Sequence, residues 1–554
     1  MKIDNRLTKL YFLKFYLKKY IRNLFFKNKN IYSTNLKKKI EDLKEFNRSN
    51  RLYSNKNKKK ILLVCLDNFE FYFFYIWIIL CFHINNKKNL IVLSNKENES
   101  INFTCNYLNI NVVYINEILK NKGKVKLSKL VKSKISRLTS FDDFLKFKYL
   151  KFELGKMAIS NFCRIHRVGT INFHDQIQLS LIKNDLKNII LNLNILQRNK
   201  ILNSCKYFFS FEKNLIPYLY LYLYSIRKKK IFVHWSSSNV DTDSFILRKN
   251  KTENFYKHHS SLDKNNFNFL KKKYIKKNGK ILKSILVQNR KIIKKRYFSK
   301  GGPFSVNLLE VNKNKKIKII SKRKKSIIFS HILHDTLYFF GKDIYNSYAE
   351  WLIHTVKIAI KNDNIDWYIK FHPSNIYRGE FHKGKSKEED LIRQNIKELP
   401  SHIKFIYPDT NINPYNWISF ADFGVTVRGT AGLEMSMQGK PVIVAGQNRY
   451  ENNGFTLNPR NKKEYKELLI NLPNIKNIKK SINTNLSNLY FYGVFKLKCF
   501  KIEKIKLINN LRRFNWSSID FKLQNSSKKN LQITKFKKFL FNDKKMNFLI
   551  NNEN

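Results

Sequence analysis

The sequence predicts an α/β protein built on two doubly wound, mostly parallel sheets. Short apolar runs alternate with helix-length amphipathic segments, the pattern of parallel strands joined by crossover helices. That pattern occurs twice, opening at residues 61–66 (ILLVCL) and again at residues 326–330 (SIIFS). The second occurrence closes on residues 423–445, which read strand, Gly-containing turn, helix, turn, strand.

Taken in order, residues 1–58 are basic and aromatic. Leu10, Leu13, Leu17, Tyr20 and Leu24 recur at helical spacing with Lys and Arg between them. This is either an amphipathic helix on an anionic membrane or a helix packed on the protein's own surface. The first domain spans 59–248. Its strands are expected at 61–66, 90–94 and 111–115, then at 169–173, 207–211 and 231–234, with a buried helix over 71–84. Residues 249–325 are Lys-rich, part helix and part linker, with a turn at Gly301-Gly302-Pro303. The second domain spans 326–460. Residues 345–360 form an amphipathic helix, 366–371 a strand ending in His372-Pro373, and 403–406 another strand. Residues 461–554 read as a helical extension whose tail beyond Gln524 looks dispensable.

At 554 residues the chain is too long for one core, and a hydrophobic fraction of 43% suffices for packed interiors. Lys and Arg number 108 against 40 Asp and Glu, a net charge of +68. Such a balance points to nucleic acid or an anionic membrane. The excess is spread along the chain, however, and Lys, Asn, Ile, Phe and Tyr abound while Gly and Pro are scarce. An AT-rich genome produces that profile without any polyanionic partner. The aromatics fall at core-like spacings rather than as stacking platforms, so no nucleic acid is expected. Six scattered Cys without CxxC pairs read as reduced core residues, not a disulfide or zinc framework. The first apolar residues are interrupted by Lys and Arg, unlike a secretory signal. A cytoplasmic, membrane-peripheral placement is therefore expected.

Chemistry concentrates where strands of the second domain end, because ligands bind there in sheets of this kind. The turn Arg428-Gly429-Thr430-Ala431-Gly432 points backbone N–H groups and a helix N-terminus at one spot, which suits a phosphate. Gly429 and Gly432 permit close backbone approach. Thr430 is a fitting helix N-cap. Arg428 is a phosphate partner or a surface cation. Glu434, just inside the helix, reaches ribose hydroxyls or answers the helix dipole. Lys370 and His372 alternate along one strand end and so face one side, where they can neutralise a leaving phosphate; Ser374 can add a hydroxyl. His331, His334 and Asp335 follow another strand. Their spacing is not a standard metal pattern, so contacts to a nucleotide or sugar are expected instead, with no metal.

KFHPS (370–374), followed by ADFGVTVRGTAGLEMSMQGKPVIVAGQNRYENNGFT (421–456) and preceded by FSHILHD (329–335), resembles the capsule polysaccharide biosynthesis family, which includes the bacterial β-Kdo transferases. The resemblance covers residues 326–456 and is vague across the first domain. It implies a GT-B-like fold, two Rossmann-like domains with a cleft between them, here with a basic N-terminal and a helical C-terminal extension. It also implies a nucleotide-sugar donor held by the C-terminal domain, CMP-Kdo or a similar acidic sugar being favoured, and a glycan or glycolipid acceptor held mainly by the N-terminal one. No cofactor is implied. A catalytic carboxylate is expected from the first domain. Asp175, after a strand-like run, and Glu153, at a helix start, are the candidates. The alternatives left open are a nucleotide-sugar epimerase of the same architecture and a basic nucleic-acid-binding protein.

Overall fold

In the computed structural model two α/β lobes carry the chain. The structure describes residues 59–66, 89–120, 125–238, 244–274, 279–298, 321–378, 385–410, 412–474 and 484–501, with short segments between and beyond them, among them 531–542. The amphipathic reading of residues 10–24, most of the 71–84 segment and the turn at 301–303 lie outside these residues.

In the first lobe, β1 (Lys60–Cys65), β2 (Leu90–Ser94), β3 (Asn111–Tyr114), β4 (Cys205–Ser210), β5 (Ile231–Ser237) and β6 (Ser244–Asn250) lie in one sheet. Its order is β3-β2-β1-β4-β5-β6, with one further strand outside β6. The strands from β3 to β5 pair in parallel, and β5 and β6 form an antiparallel hairpin. The second lobe comprises β7 (Lys324–Phe329), β8 (Ile365–Lys370), the two-residue strands β9 (Phe381–His382) and β10 (Lys385–Ser386), β11 (Ile403–Ile406), β12 (Phe423–Thr426) and β13 (Val442–Val444). Its main sheet runs β11-β8-β7-β12-β13, all parallel. Counting only the strands of each main sheet, both share the order 3-2-1-4-5, the doubly wound Rossmann arrangement, with the order reversing between the first and fourth strands. The GT-B-like plan of two Rossmann-like lobes is thus built into the pairing itself. The central strands bury apolar side chains on both faces because helices cover both sides. Leu62, Leu63, Val64, Ile327, Ile328, Ile369 and Val425 are buried.

Most predicted strands form within a residue or two of their expected limits. Residues 169–173 do not form one. They run as an irregular entry to the long Gln176–Arg198 helix, with Asn172 Oδ1 accepting from His174 N–H. A Cβ at Gly169 would sit 3.1 Å from Leu333 and 3.3 Å from Ala349, so this segment abuts the second lobe instead of joining the first sheet. The Lys-rich stretch after β6 contains two helices, Lys264–Tyr274 and Gly279–Tyr297.

The C-terminal segment is not dispensable to the core. Beyond the Thr484–Tyr492 helix, β14 (Cys499–Lys501) pairs antiparallel with β6 at the edge of the first sheet. The Leu531–Phe541 helix follows, and Phe536, Phe539 and Leu540 are buried. Phe536 packs against Trp77 and Phe209, and buried Lys249 donates to the carbonyls of Leu540 and Asn542. The chain thus leaves the first lobe, builds the second and returns to close the first. All six thiols are free.

Candidate functional site

In sheets of this topology a crevice opens where the strand order reverses. In the second lobe that point lies between β7 and β12, and the residues leaving these two strands bridge it. Burial and the Arg428 charge hold the His331 imidazole well below its usual range, so the ring is neutral. Its Nε2 accepts from the Arg428 backbone N–H at 3.2 Å and meets Thr426 Oγ1 at 3.2 Å. Thr426 Oγ1 in turn accepts from Gly429 N–H at 3.2 Å. The ring stacks on Tyr348 from the following helix, with centroids 4.8 Å apart. His331 therefore shapes the turn rather than projecting from a loop.

Above it lies a cavity of about 340 Å³. Lys370, His372, His331, Asp335, Arg428, Gly429, Thr430 and Ala431 all line it, so the three strand-end motifs do converge on one space. Tyr297, His258 and Arg449 complete its charged and aromatic wall. Thr430 and Ala431 open the Thr430–Met437 helix, whose first N–H groups have no acceptor within the helix and face an incoming anion. The N-cap is Gly429, not Thr430, and no side chain caps the helix; Thr426 Oγ1 accepts from the N–H of Gly429 itself, one residue before the helix.

Lys370 is buried at 5% exposure, and no acidic partner for its ammonium occurs among the described residues. Burial pushes its pKa down to about 8. A buried, uncompensated cation lining a cavity is costly unless an anion joins it. His372 Nδ1 accepts from Ser374 N–H at 3.1 Å, leaving Nε2 to carry the proton. Ser374 thereby holds the imidazole with its backbone, and its hydroxyl is not among the groups lining the cavity. Beneath the loop, the buried carboxylate of Glu388 accepts from Asn375 Nδ2 at 2.5 Å, Ser386 Oγ at 2.5 Å and Ser330 Oγ at 3.4 Å, tying the ends of β7 and β8 together.

Arg428 is buried and forms an ion pair with Asp343, and its guanidinium lies 5.6 Å from the ring centres of both Phe340 and Tyr348. It is not a surface cation. Its Nε and Nη1 have no hydrogen-bond partner, so donor capacity remains after the pair with Asp343. Gly446 makes room for Asp343: a Cβ there would fall 2.1 Å from Oδ1.

Several expectations are corrected. Glu434 does not reach the cavity. It is fully buried, accepts from Tyr297 Oη at 2.6 Å and pairs with Arg296 at 3.2 Å, so it anchors the Gly279–Tyr297 helix. Gly432 serves packing and not ligand approach. A Cβ there would lie 2.2 Å from the Tyr450 hydroxyl, which donates to Gly429 C=O at 2.6 Å. Asp175 caps the Gln176–Arg198 helix, accepting from Ile177 and Gln178 N–H at 2.9 and 3.3 Å, and does not line the cavity. Glu153 does not line it either. Burial raises its pKa, but hydrogen bonds from Tyr256 (2.7 Å) and Lys156 (2.9 Å) outweigh that and hold the carboxyl below its usual value. Asp335 is the one carboxylate lining the cavity among the described residues, and Arg164 of the first lobe pairs with it at 2.8 Å. His334 is buried nearby without lining the space. The same described residues contain no cluster of three or more metal-ligating side chains.

Asp343, Arg449, Tyr297 and His258 escaped the sequence reading. The only available signal was the segment QNRY, in which Arg449 directly precedes the Tyr450 that locks the turn.

No protein-family model matches the chain, and no curated protein matches it. Among solved structures, the β-Kdo 2,4-transferase of Thermosulfurimonas dismutans KpsC is 14% identical, covering 52% of this chain and 79% of its own, with a TM-score of 0.29. The β-Kdo 2,7-transferase of the same protein is 14% identical over 58% and 84%, with a TM-score of 0.30. A UDP-GlcNAc 2-epimerase from Neisseria meningitidis, bound to UDP-GlcNAc, is 12% identical over 78% and 97%, with a TM-score of 0.22. The chemistry of this chain is read from its own residues.

Proposed function

We propose that the protein is a glycosyltransferase of bacterial surface polysaccharide synthesis that holds the phosphate of a nucleotide-activated sugar in the second-lobe cavity. The observation that carries this is the gathering of a buried cation and unspent donors around the helix start: Lys370 without a carboxylate, Arg428 with two unpartnered nitrogens beyond its pair with Asp343, and the first N–H groups of the Thr430–Met437 helix. Preorganised donors aimed at a leaving phosphate stabilise the charge that develops there as the sugar departs. His372, proton on Nε2, suits the same oxygen. To Asp335, the carboxylate that lines the cavity among the described residues, this reading assigns the removal of the acceptor hydroxyl proton, the role expected of Asp175 or Glu153. The sequence resemblance favours a CMP-linked acidic sugar as donor and a glycan or glycolipid as acceptor. No helix among the described residues is long and apolar enough to cross a membrane.

A thermal-shift screen with CMP, UDP and GDP, each beside its nucleoside, tests the reading. One nucleotide should raise the melting temperature while its nucleoside does not, and Lys370→Met should shrink the shift at equal nucleotide concentration. Purified donor alone should remain unepimerised, and acceptor should be required for turnover. Indifference to all three nucleotides would sink the assignment.

A further inference from the structure

The Gly279–Tyr297 helix carries a surface that the proposed donor site does not use. Its nineteen residues include seven Lys or Arg and no Asp or Glu. The side facing the protein is apolar and anchored. Ile285, Asn289, Ile292, Ile293 and Arg296 are buried, and Asn289 Nδ2 donates to the Asn488 carbonyl at 2.9 Å. The opposite side is a stripe at helical spacing, Lys283, Val287, Arg290, Lys291, Lys294 and Lys295, all exposed. Lys283, Arg290 and Lys291 form no ion pair with any described residue. In the middle of these cations Val287 stands 48% exposed.

A solvated face of a charged helix ordinarily mixes both signs, which supports the helix through pairs three and four residues apart. This one does the reverse. Like charges at those spacings repel, and a negative surface opposite lowers that repulsion. We propose that this stripe docks the protein on an anionic lipid bilayer, the cations meeting headgroup phosphates and Val287 entering the interface. An apolar side chain ringed by cations suits a bilayer, where both find partners at different depths. A nucleic acid would need donors or stacking rings in that position. The helix ends at Tyr297, in the cavity wall. Docking therefore brings the cavity within one helix length, roughly 28 Å, of the lipid surface.

The test uses the full chain and sedimentation with vesicles at about 0.15 M salt, where surface charges beyond about 8 Å are screened. Wild type should sediment with phosphatidylcholine vesicles containing phosphatidylglycerol and not with phosphatidylcholine alone. The triple variant Lys283→Gln/Arg290→Gln/Lys291→Gln should partition more weakly by a factor on the order of a hundred, about fivefold per cation. Val287→Asp should weaken it as well. Both variants alter only exposed positions, so their melting temperatures should match wild type and loss of fold is read directly. Unchanged partition of the triple variant, unchanged partition of Val287→Asp, or tighter binding to a DNA or RNA duplex than to the acidic vesicles would each overturn the proposal.

Discussion

Two buried ion pairs flank the turn that opens the Thr430–Met437 helix, and they end differently. Arg428 and Asp343 meet beside the cavity with guanidinium nitrogens to spare. Arg296 and Glu434 meet behind the helix without lining the cavity, and Tyr297, itself in the cavity wall, donates to the second carboxylate oxygen. Two Arg–carboxylate pairs, one holding Arg428 and the other Glu434 six positions later, thus do opposite work, one facing a ligand space and one fastening a helix. What separates them is which side of the helix start the side chain leaves from, and what lies there.

The comparison breaks most visibly at Glu434. Glu434→Ala takes the ion-pair carboxylate away from buried, charged Arg296, which should cost about 3–5 kcal/mol of stability in urea unfolding. Nucleotide affinity of the fraction that remains folded should hold. Lost affinity in a variant of normal stability would place Glu434 on the ligand after all.

On the cavity side the effect should fall on binding. Lys370 at about 8 is charged at neutral pH and loses its proton as pH rises through that value. A phosphate binds the charged form, so nucleotide affinity should be full below pH 8 and decline above it, approaching tenfold per pH unit. Lys370→Met should bind about 10- to 100-fold more weakly at pH 7, the loss of one charge-assisted contact, and show no such decline. Calorimetric titration across this range decides; an identical slope in the variant would assign the titration elsewhere.

The smallest expected effect sharpens the contrast between lobes. Asp175→Ala should cost about 1 kcal/mol of stability through the lost helix cap, with turnover nearly intact. A collapse of turnover in a stably folded variant would restore Asp175 as the catalytic carboxylate and displace Asp335.

Both sheets were legible because strand runs and crossover helices write their periods locally. The cavity was legible where its residues sit in contiguous strand-end motifs, as with Lys370 and His372 or Arg428 to Ala431. It was not legible where the deciding neighbour is remote. Glu434 reads as a ligand residue because a carboxylate close to a helix start serves either purpose, and its partner Tyr297 lies 137 residues away in sequence. Asp175 misleads in the same way, since a carboxylate after an extended run and before a helix is equally the pattern of a cap. Asp343 and Arg449 sit in loops without periodicity, and only the closed fold brings them to the site.

The return of the chain to the first sheet bears on how the protein is made. Phe536 completes the packing around Trp77 and Phe209, and 286 residues separate it from Asn250 at the end of β6. At about 5–20 residues per second, translation takes on the order of half a minute to cover that distance. Throughout that interval the first lobe waits on the ribosome with an aromatic face uncovered, while the second lobe can already close. The half that is synthesised first is the half that finishes last.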